Sequence, residues 1–267
     1  LKIENWLKLA KTQFVRTRVK IDQKAIEFAE VIIHLAGENI AAKPWTNAQK
    51  LINQMSRQKT TQLLYQSIQR AKKRPEMLIS ASAVGYYGAI TSEHIFTEVN
   101  SPANDFLGTT ARQWETEVAK FKELSLKVHI LRIGVVISPH GGALPKMLTA
   151  INLGLGSALG SGMQYMPWIS LADLIRMFDF VMSDKANNMI YNAVAPNHIT
   201  HADFMKTMAT IYHKPFFMPN VPAFILRLIM GEMAAMVLEG SSVSSKRIIE
   251  DGFKFKNPTL ESIFITE

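Results

Sequence analysis

Val31-Ile32-Ile33-His34-Leu35-Ala36-Gly37 constrains this chain more than any other stretch. An apolar run of this length closed by glycine reads as a strand buried on both faces, and such strands belong to parallel sheets. Asp22–Ala29, just before it, reads as a short helix. Earlier still, Val15, Thr17, Val19 and Ile21 alternate with Arg16, Arg18 and Lys20, the period of a half-buried strand. Strand, helix, strand in that order is a βαβ unit.

The alternation continues along the chain. Thr46–Gln49 is a capping box that opens a helix to about Lys72, and Met77–Ser80 is the next strand. Asn104 or Asp105 caps a helix through Trp114 to Glu123, and Val128–Ile133 is another strand. After Gly141 the texture changes. Asn152–Gly162 is glycine-rich, Ser170–Asp173 and Thr200–Asp203 open two more helices, and Ile190–Ala193 is strand-like. Pro222–Leu238 reads as one amphipathic helix, apolar at Phe224, Ile225, Leu228, Ile229, Met233 and Met236. Ser242–Glu250 and Thr259–Thr266 read as helical, with a short Phe253–Phe255 strand between them. The expected fold is α/β, a doubly wound parallel sheet followed by a smaller C-terminal α/β lobe, with a soft boundary near 140–160.

Composition narrows the function classes. The chain has 267 residues, 48% hydrophobic and 19% charged, which excludes a disordered polymer. It contains no cysteine, so disulfides, thiolate metal sites and a cysteine nucleophile are excluded. No run of 18 uninterrupted apolar residues is present, so no membrane partner is expected, and the expected location is cytoplasmic. Of the net charge of +8, the segment Lys43–Glu76 carries +7: Lys43, Lys50, Arg57, Lys59, Arg70, Lys72, Lys73 and Arg74 against Glu76. This reads as a solvated helix face and a basic loop in preference to a nucleic-acid groove, which needs aromatic residues interleaved throughout. His198 and His201 form an H-x-x-H pair with no third ligand at motif spacing, so no metal site is expected.

In a parallel sheet, ligands bind beyond the carboxyl ends of the strands. The residues there are Leu35-Ala36-Gly37-Glu38-Asn39, Ser80 through Gly88, and Ile133-Gly134-Val135-Val136. They are small enough for a flat cofactor to approach the backbone, and Ser82, Tyr86 and Tyr87 add hydroxyls. Together they point to a ligand crevice.

"IIHLAGENI" (Ile32–Ile40), "ISASAVGYYG" (Ile79–Gly88), "LRIGVVIS" (Leu131–Ser138), "GGALPKML" (Gly141–Leu148) and "LGLGSALGSGMQYMPWISLADL" (Leu153–Leu174) resemble the extended short-chain dehydrogenase/reductase superfamily. More closely they resemble its NAD-dependent epimerase-like branch, often labelled sugar-nucleotide epimerase or cell-division-inhibitor-like. Val221–Ile263 resembles the C-terminal domain of unknown function carried by that branch. The resemblance implies a Rossmann-type NAD(P)-binding domain over 1–150 and a substrate lobe with a C-terminal helical domain over 151–267. It implies NADP or NAD as cofactor, with NADP slightly preferred, and a small-molecule substrate for a monomer or homodimer. Leu35, Ala36, Gly37 and Glu38 would lie on the adenosine side. Ser80 and Ala81 would line the nicotinamide side, where Ser82 takes the place of the catalytic serine, and Gly134 and Val135 would contribute backbone. Asn39, Gln164, Tyr165 and Trp168 would face the substrate.

Two departures shape the functional expectation. The family's glycine-rich strand–turn–helix opening does not precede Val31, and with Leu1 as first residue the expectation is that it is missing from this sequence. The family's Tyr-x-x-x-Lys, in which lysine lowers the phenol pKa, is also absent. The residues four after the six tyrosines are Gln69, Ile90, Thr91, Ile169, Ala195 and Phe216, and Phe106–Ala111 occupies the expected position. Tyr86 or Tyr87 would have to substitute. The expected function is therefore an NAD(P)-dependent oxidoreductase or nucleotide-sugar-epimerase-like protein. The alternatives are an NAD(P)-binding sensor or interaction protein without turnover, and a polyanion binder through Lys43–Arg74.

Overall fold

The structure, a computed structural model, describes residues 21–264 except 140, 143 and 184. The strand expected over Val15–Ile21 lies outside these apart from Ile21. Asp22 caps α1 (Gln23–Phe28), which leads into β1 (Val31–His34). Thr46 accepts from Gln49 N at 3.1 Å and starts α2 (Asn47–Gln69). β2 (Met77–Ala83) follows. Asp105 rather than Asn104 caps α3 (Phe106–Ala119), accepting from Gly108 N at 2.7 Å. β3 (Lys127–Ile133) completes this half of the sheet.

Further on come β4 (Val135–Ser138), β5 (Gly141–Gly142), α4 (Leu144–Asn152) and β6 (Trp168–Ser170). Ser170 caps α5 (Leu171–Met182), β7 (Ile190–Ala193) returns to the sheet, and Thr200 caps α6 (His201–Ile211).

The main sheet runs β1-β2-β3-β7 and is parallel throughout. Alternation along β2 explains its two covered faces. Leu78 and Ile130 pack against Leu64 and Ile68 of α2 and Trp114 and Val118 of α3. Met77, Ile79 and Leu131 pack against Leu174, Met177, Phe178 and Val181 of α5. Each Ile or Leu buried this way contributes about 1.5–3 kcal/mol. A second sheet, β5-β4-β6, joins a third core in which Ile137, Leu144, Trp168, Phe204 and Met208 meet.

The chain passes from the first sheet to the second at Gly134, between β3 and β4. A Cβ there would lie 2.6 Å from the Pro167 carbonyl oxygen, so only glycine allows the two segments to touch. Val135 N donates to the same carbonyl at 2.8 Å.

Several expectations are corrected. β1 is not buried on both faces: Val31 and Ile32 are half-buried and Ile33 is 39% exposed, and β1 is also the outer strand of the described sheet. The helix expected over Pro222–Leu238 breaks at Gly231, whose φ of 59° is left-handed, into α7 (Ala223–Met230), a 3-10 turn and α8 (Ala235–Leu238). Its apolar face is not buried: Phe224, Leu228 and Ile229 are exposed. Of Ser242–Glu250 only α9 (Lys246–Glu250) is helical, because Val243 bridges to Phe96 in extended form. Phe253–Phe255 forms no strand; both rings pack edge to face instead. Thr259–Thr266 is reduced to a 3-10 turn at Glu261–Ile263, its last two residues lying outside the described ones. Among the described residues, no helix is long and apolar enough to cross a membrane.

Candidate functional site

Strand register builds the polar centre of the molecule. Ser82 pairs with Arg132, and Arg132 pairs with Asn192, so β2, β3 and β7 bring the three residues side by side. Glu115 approaches from the buried face of α3. Ser82 Oγ donates to Glu115 Oε1 at 2.6 Å, and Arg132 donates to both carboxylate oxygens, Nε at 2.9 Å and Nη2 at 2.8 Å. Arg132 Nη1 donates to the Tyr87 hydroxyl at 2.9 Å, which in turn donates to Asn192 Oδ1 at 2.7 Å. Glu98 closes the set, accepting from Asn192 N at 2.9 Å. The guanidinium also lies 3.4 Å from the centre of the Tyr86 ring.

Burial sets the electrostatics of this network. It pulls Arg132 downward, but the Glu115 carboxylate outweighs it and holds the guanidinium above the ordinary arginine value. Burial pushes the Tyr87 phenol up to about 12, against the pull of Arg132. Such a phenol stays protonated at neutral pH. It is suited to donate a hydrogen bond and unsuited to act as a base.

A cavity of about 280 Å³ opens beside this network, at the carboxyl ends of the strands. Ala83, Gly85 and Tyr87 from the end of β2, Gly134 and Val135 from the β3–β4 joint, and Tyr165 line it. Segment 235–243 forms its outer wall and is clipped in place by paired backbone bonds, Phe96 N to Ser242 O at 2.9 Å and Ser244 N to Phe96 O at 2.8 Å. Arg57 of α2 and Trp114 of α3 complete another wall, with the guanidinium 5.2 Å from the indole centre.

Of the strand-end residues singled out in the sequence, Ala83, Val84, Gly85, Tyr87, Gly88, Ile133, Gly134 and Val135 reach this cavity, and of the expected substrate residues Tyr165 does. Ser82 and Tyr86 meet around Arg132 but do not line it. Ser80 is fully buried and bonds its neighbour's carbonyl, and Ala81 packs in the core beneath α2 and α3. Leu35, Ala36, Gly37, Glu38 and Asn39 form the loop after β1. There Glu38 N donates to Ser56 Oγ at 3.0 Å, and Asn39 accepts from Ala41 N at 3.0 Å.

Gln164 and Trp168 do not line the cavity. The Gln164 amide ties Leu159 and Val237 carbonyls together, and the Trp168 ring is buried in the third core. His201 is buried with a pKa lowered to about 4, and no cluster of three metal-ligating groups exists among the described residues.

Sequence reasoning named Arg57 only as one cation of the basic Lys43–Glu76 segment, and it missed Trp114, Glu115, Arg132 and Asn192 as site residues. The signal for one was present: Arg132 is a charged residue in the middle of an apolar strand, and such a residue must be paired.

A parallel sheet covered on both faces, with a cavity at the carboxyl ends of its strands, defines a Rossmann-like α/β binding protein. The model of the NAD dependent epimerase/dehydratase family matches residues 5–193, and a domain of unknown function, DUF1731, matches residues 221–264. The chain belongs to the NAD-dependent epimerase/dehydratase family. It is 35% identical over 233 residues to the epimerase family protein SSP1921 of Staphylococcus saprophyticus, spanning 87% of this chain and 77% of that one. It is 33% identical over 240 residues to the epimerase family protein YfhF of Bacillus subtilis, spanning 90% of this chain and 78% of that one. Among solved structures, the human epimerase family protein SDR39U1 (isoform 2) with NADPH superposes with a TM-score of 0.83. It is 28% identical, and the match covers 93% of this chain and 87% of the human one.

Proposed function

We propose that this chain is an NAD(P)-dependent oxidoreductase of the epimerase-like kind, acting on a small molecule. The observation that carries this reading is the place of the cavity, where glycine and alanine backbone at the ends of β2 and β3 faces an arginine–tryptophan wall. The human relative of known structure, with NADPH, adds support.

The residues fit such a group. Gly134 and Val135, which line the cavity, would offer backbone to the nicotinamide, and the loop Leu35–Glu38 after β1 would take the adenosine side. A nicotinamide bound there would supply hydride transfer. The chain's own residues would bind and orient it: Tyr87 as a wall fixed by Arg132 and Asn192, and Tyr165 on the substrate side.

Titration of NADPH and NADH against the folded chain by nicotinamide fluorescence tests the reading. Micromolar binding is expected. No binding of either by the folded chain would sink it.

A second reading, binding without turnover, is favoured by one observation. The Ser82 hydroxyl and the Tyr87 phenol both spend their protons inside the buried network. Cofactor-dependent reduction of any carbonyl compound at an ordinary enzymatic rate would exclude it.

A further inference from the structure

Arg57 stands out among the cations of this chain. Its side chain lies across the end of β1, where its Cγ would be 3.1 Å and its Cζ 3.2 Å from a Cβ placed on Gly37. The guanidinium faces the cavity, stacked on Trp114. Among the described residues it donates a single hydrogen bond, from Nη1 to the Asn53 carbonyl at 3.0 Å, and it makes no ion pair. An arginine carries five N–H donors in a fixed planar fork. Arg57 is half-buried and lines the cavity, so its remaining N–H groups are open to a ligand there. The charge of Glu38 acts on it from the loop after β1, but burial outweighs that charge and lowers the Arg57 pKa.

Trp114 carries a second unpartnered donor. The indole Nε1 of Trp114 is buried without an acceptor, and Trp114 lines the same cavity. The cation–π contact with the Trp114 ring and the bond to the Asn53 carbonyl hold the guanidinium at two points, and its other N–H groups are unused. A planar fork preset in this way matches the paired oxygens of a phosphate.

We propose that Arg57 and the indole N–H of Trp114 form a phosphate subsite of the cavity, which takes a phosphate of the bound dinucleotide. The choice of dinucleotide rests on the function proposed above; the preference for phosphate rests on the two donors themselves. Glycine at position 37 is part of the subsite, because a larger side chain there would push Arg57 away from the strand end.

The test compares the wild-type chain with Arg57→Gln and Arg57→Lys, reading Kd for NADPH and NADH by fluorescence, with circular dichroism to confirm folding. Arg57→Gln is expected to weaken binding about tenfold or more, the usual range for losing a charge-assisted hydrogen bond. Arg57→Lys, which keeps the charge and loses the fork, is expected to fall between. Equal loss for both nucleotides assigns the diphosphate, and loss confined to NADPH assigns the 2′-phosphate. Unchanged Kd for both, within twofold, overturns the subsite.

Inorganic pyrophosphate gives an independent reading, through the indole N–H resonances of the wild-type chain. The Trp114 signal, assigned by its loss in Trp114→Phe, is expected to shift with pyrophosphate, and not in Arg57→Gln. If the wild-type chain binds neither nucleotide yet shows this shift, the dinucleotide reading falls and the phosphate subsite stands. No shift at Trp114 overturns the subsite.

Discussion

Glu115 and Arg132 meet in a two-point ion pair with contacts of 2.9 and 2.8 Å, both side chains almost wholly removed from water. The pair joins α3 to the middle of the sheet, and it orders Ser82, Tyr87 and Asn192 around itself. Removing one partner leaves the other charged and buried. Glu115→Ala is expected to lower unfolding free energy by about 3–5 kcal/mol, measured by urea denaturation. The double variant Glu115→Leu with Arg132→Met is expected to recover most of that loss, since an apolar pair of similar volume replaces both charges. Additive losses would mean that the two residues act independently.

Gly134→Ala places a methyl group against the Pro167 carbonyl, 2.6 Å away where backbone meets backbone. Relief requires the β3–β4 joint to shift. A cost of about 1–3 kcal/mol is expected, the usual range for overpacking. Because the same residue borders the cavity, NADPH affinity is expected to fall with it. A thermal melt and a fluorescence titration of the same sample check both.

Burial lowers both His34 and His201 from 6.5 to about 4. His34 sits against Thr61, whose hydroxyl donates to the Arg57 carbonyl at 2.7 Å, so the imidazole Nε2–H donates to Thr61 Oγ1 at 2.9 Å. Both rings are neutral in the folded chain at neutral pH. As pH falls below about 6.5 the unfolded chain binds protons that the folded chain refuses. Stability is therefore full above pH 6.5 and falls between about 6.5 and 4, by about 1.4 kcal/mol per pH unit for each histidine. Below pH 4 these two groups add no further loss. Urea midpoints from pH 7 to pH 4 should show the slope, and His34→Gln should flatten it.

Ser82→Ala removes a 2.6 Å hydrogen bond to a buried carboxylate. A stability loss of about 1.5–3 kcal/mol is expected, with NADPH affinity unchanged, because the hydroxyl faces the ion network and not the cavity. The reverse outcome, unchanged stability with weakened binding, would show that the hydroxyl reaches the ligand.

Much of this architecture was readable from sequence because the signals were local. Thr46, Asp105, Ser170 and Thr200 each cap the helix that follows, and the apolar runs at Met77 and Val128 form adjacent parallel strands. The site was less readable because it depends on register. Ser82, Arg132 and Asn192 are far apart in the chain and meet only because three strands align at one level. Arg57 and Trp114 lie on separate helices, and nothing in the spacing of either announces that they stack. The C-terminal segment misled for a different reason. Phe224, Leu228 and Ile229 have the period of a buried helical face, but periodicity reports the face and not what covers it.

The sheet order also dictates the sequence in which a growing chain can become stable. Once Ile133 has left the ribosome, β1, β2 and β3 can pair, yet Tyr87 still lacks its native acceptor Asn192 and one edge of β3 is unpaired. Both needs are met by Ile190–Ala193, some sixty residues later in synthesis. During that interval the nascent chain carries a half-finished charge network and an open strand edge, the combination that exposes parallel sheets to aggregation. The interval between Ile133 and Ile190 is a folding hazard that the equilibrium stability of the finished molecule does not report.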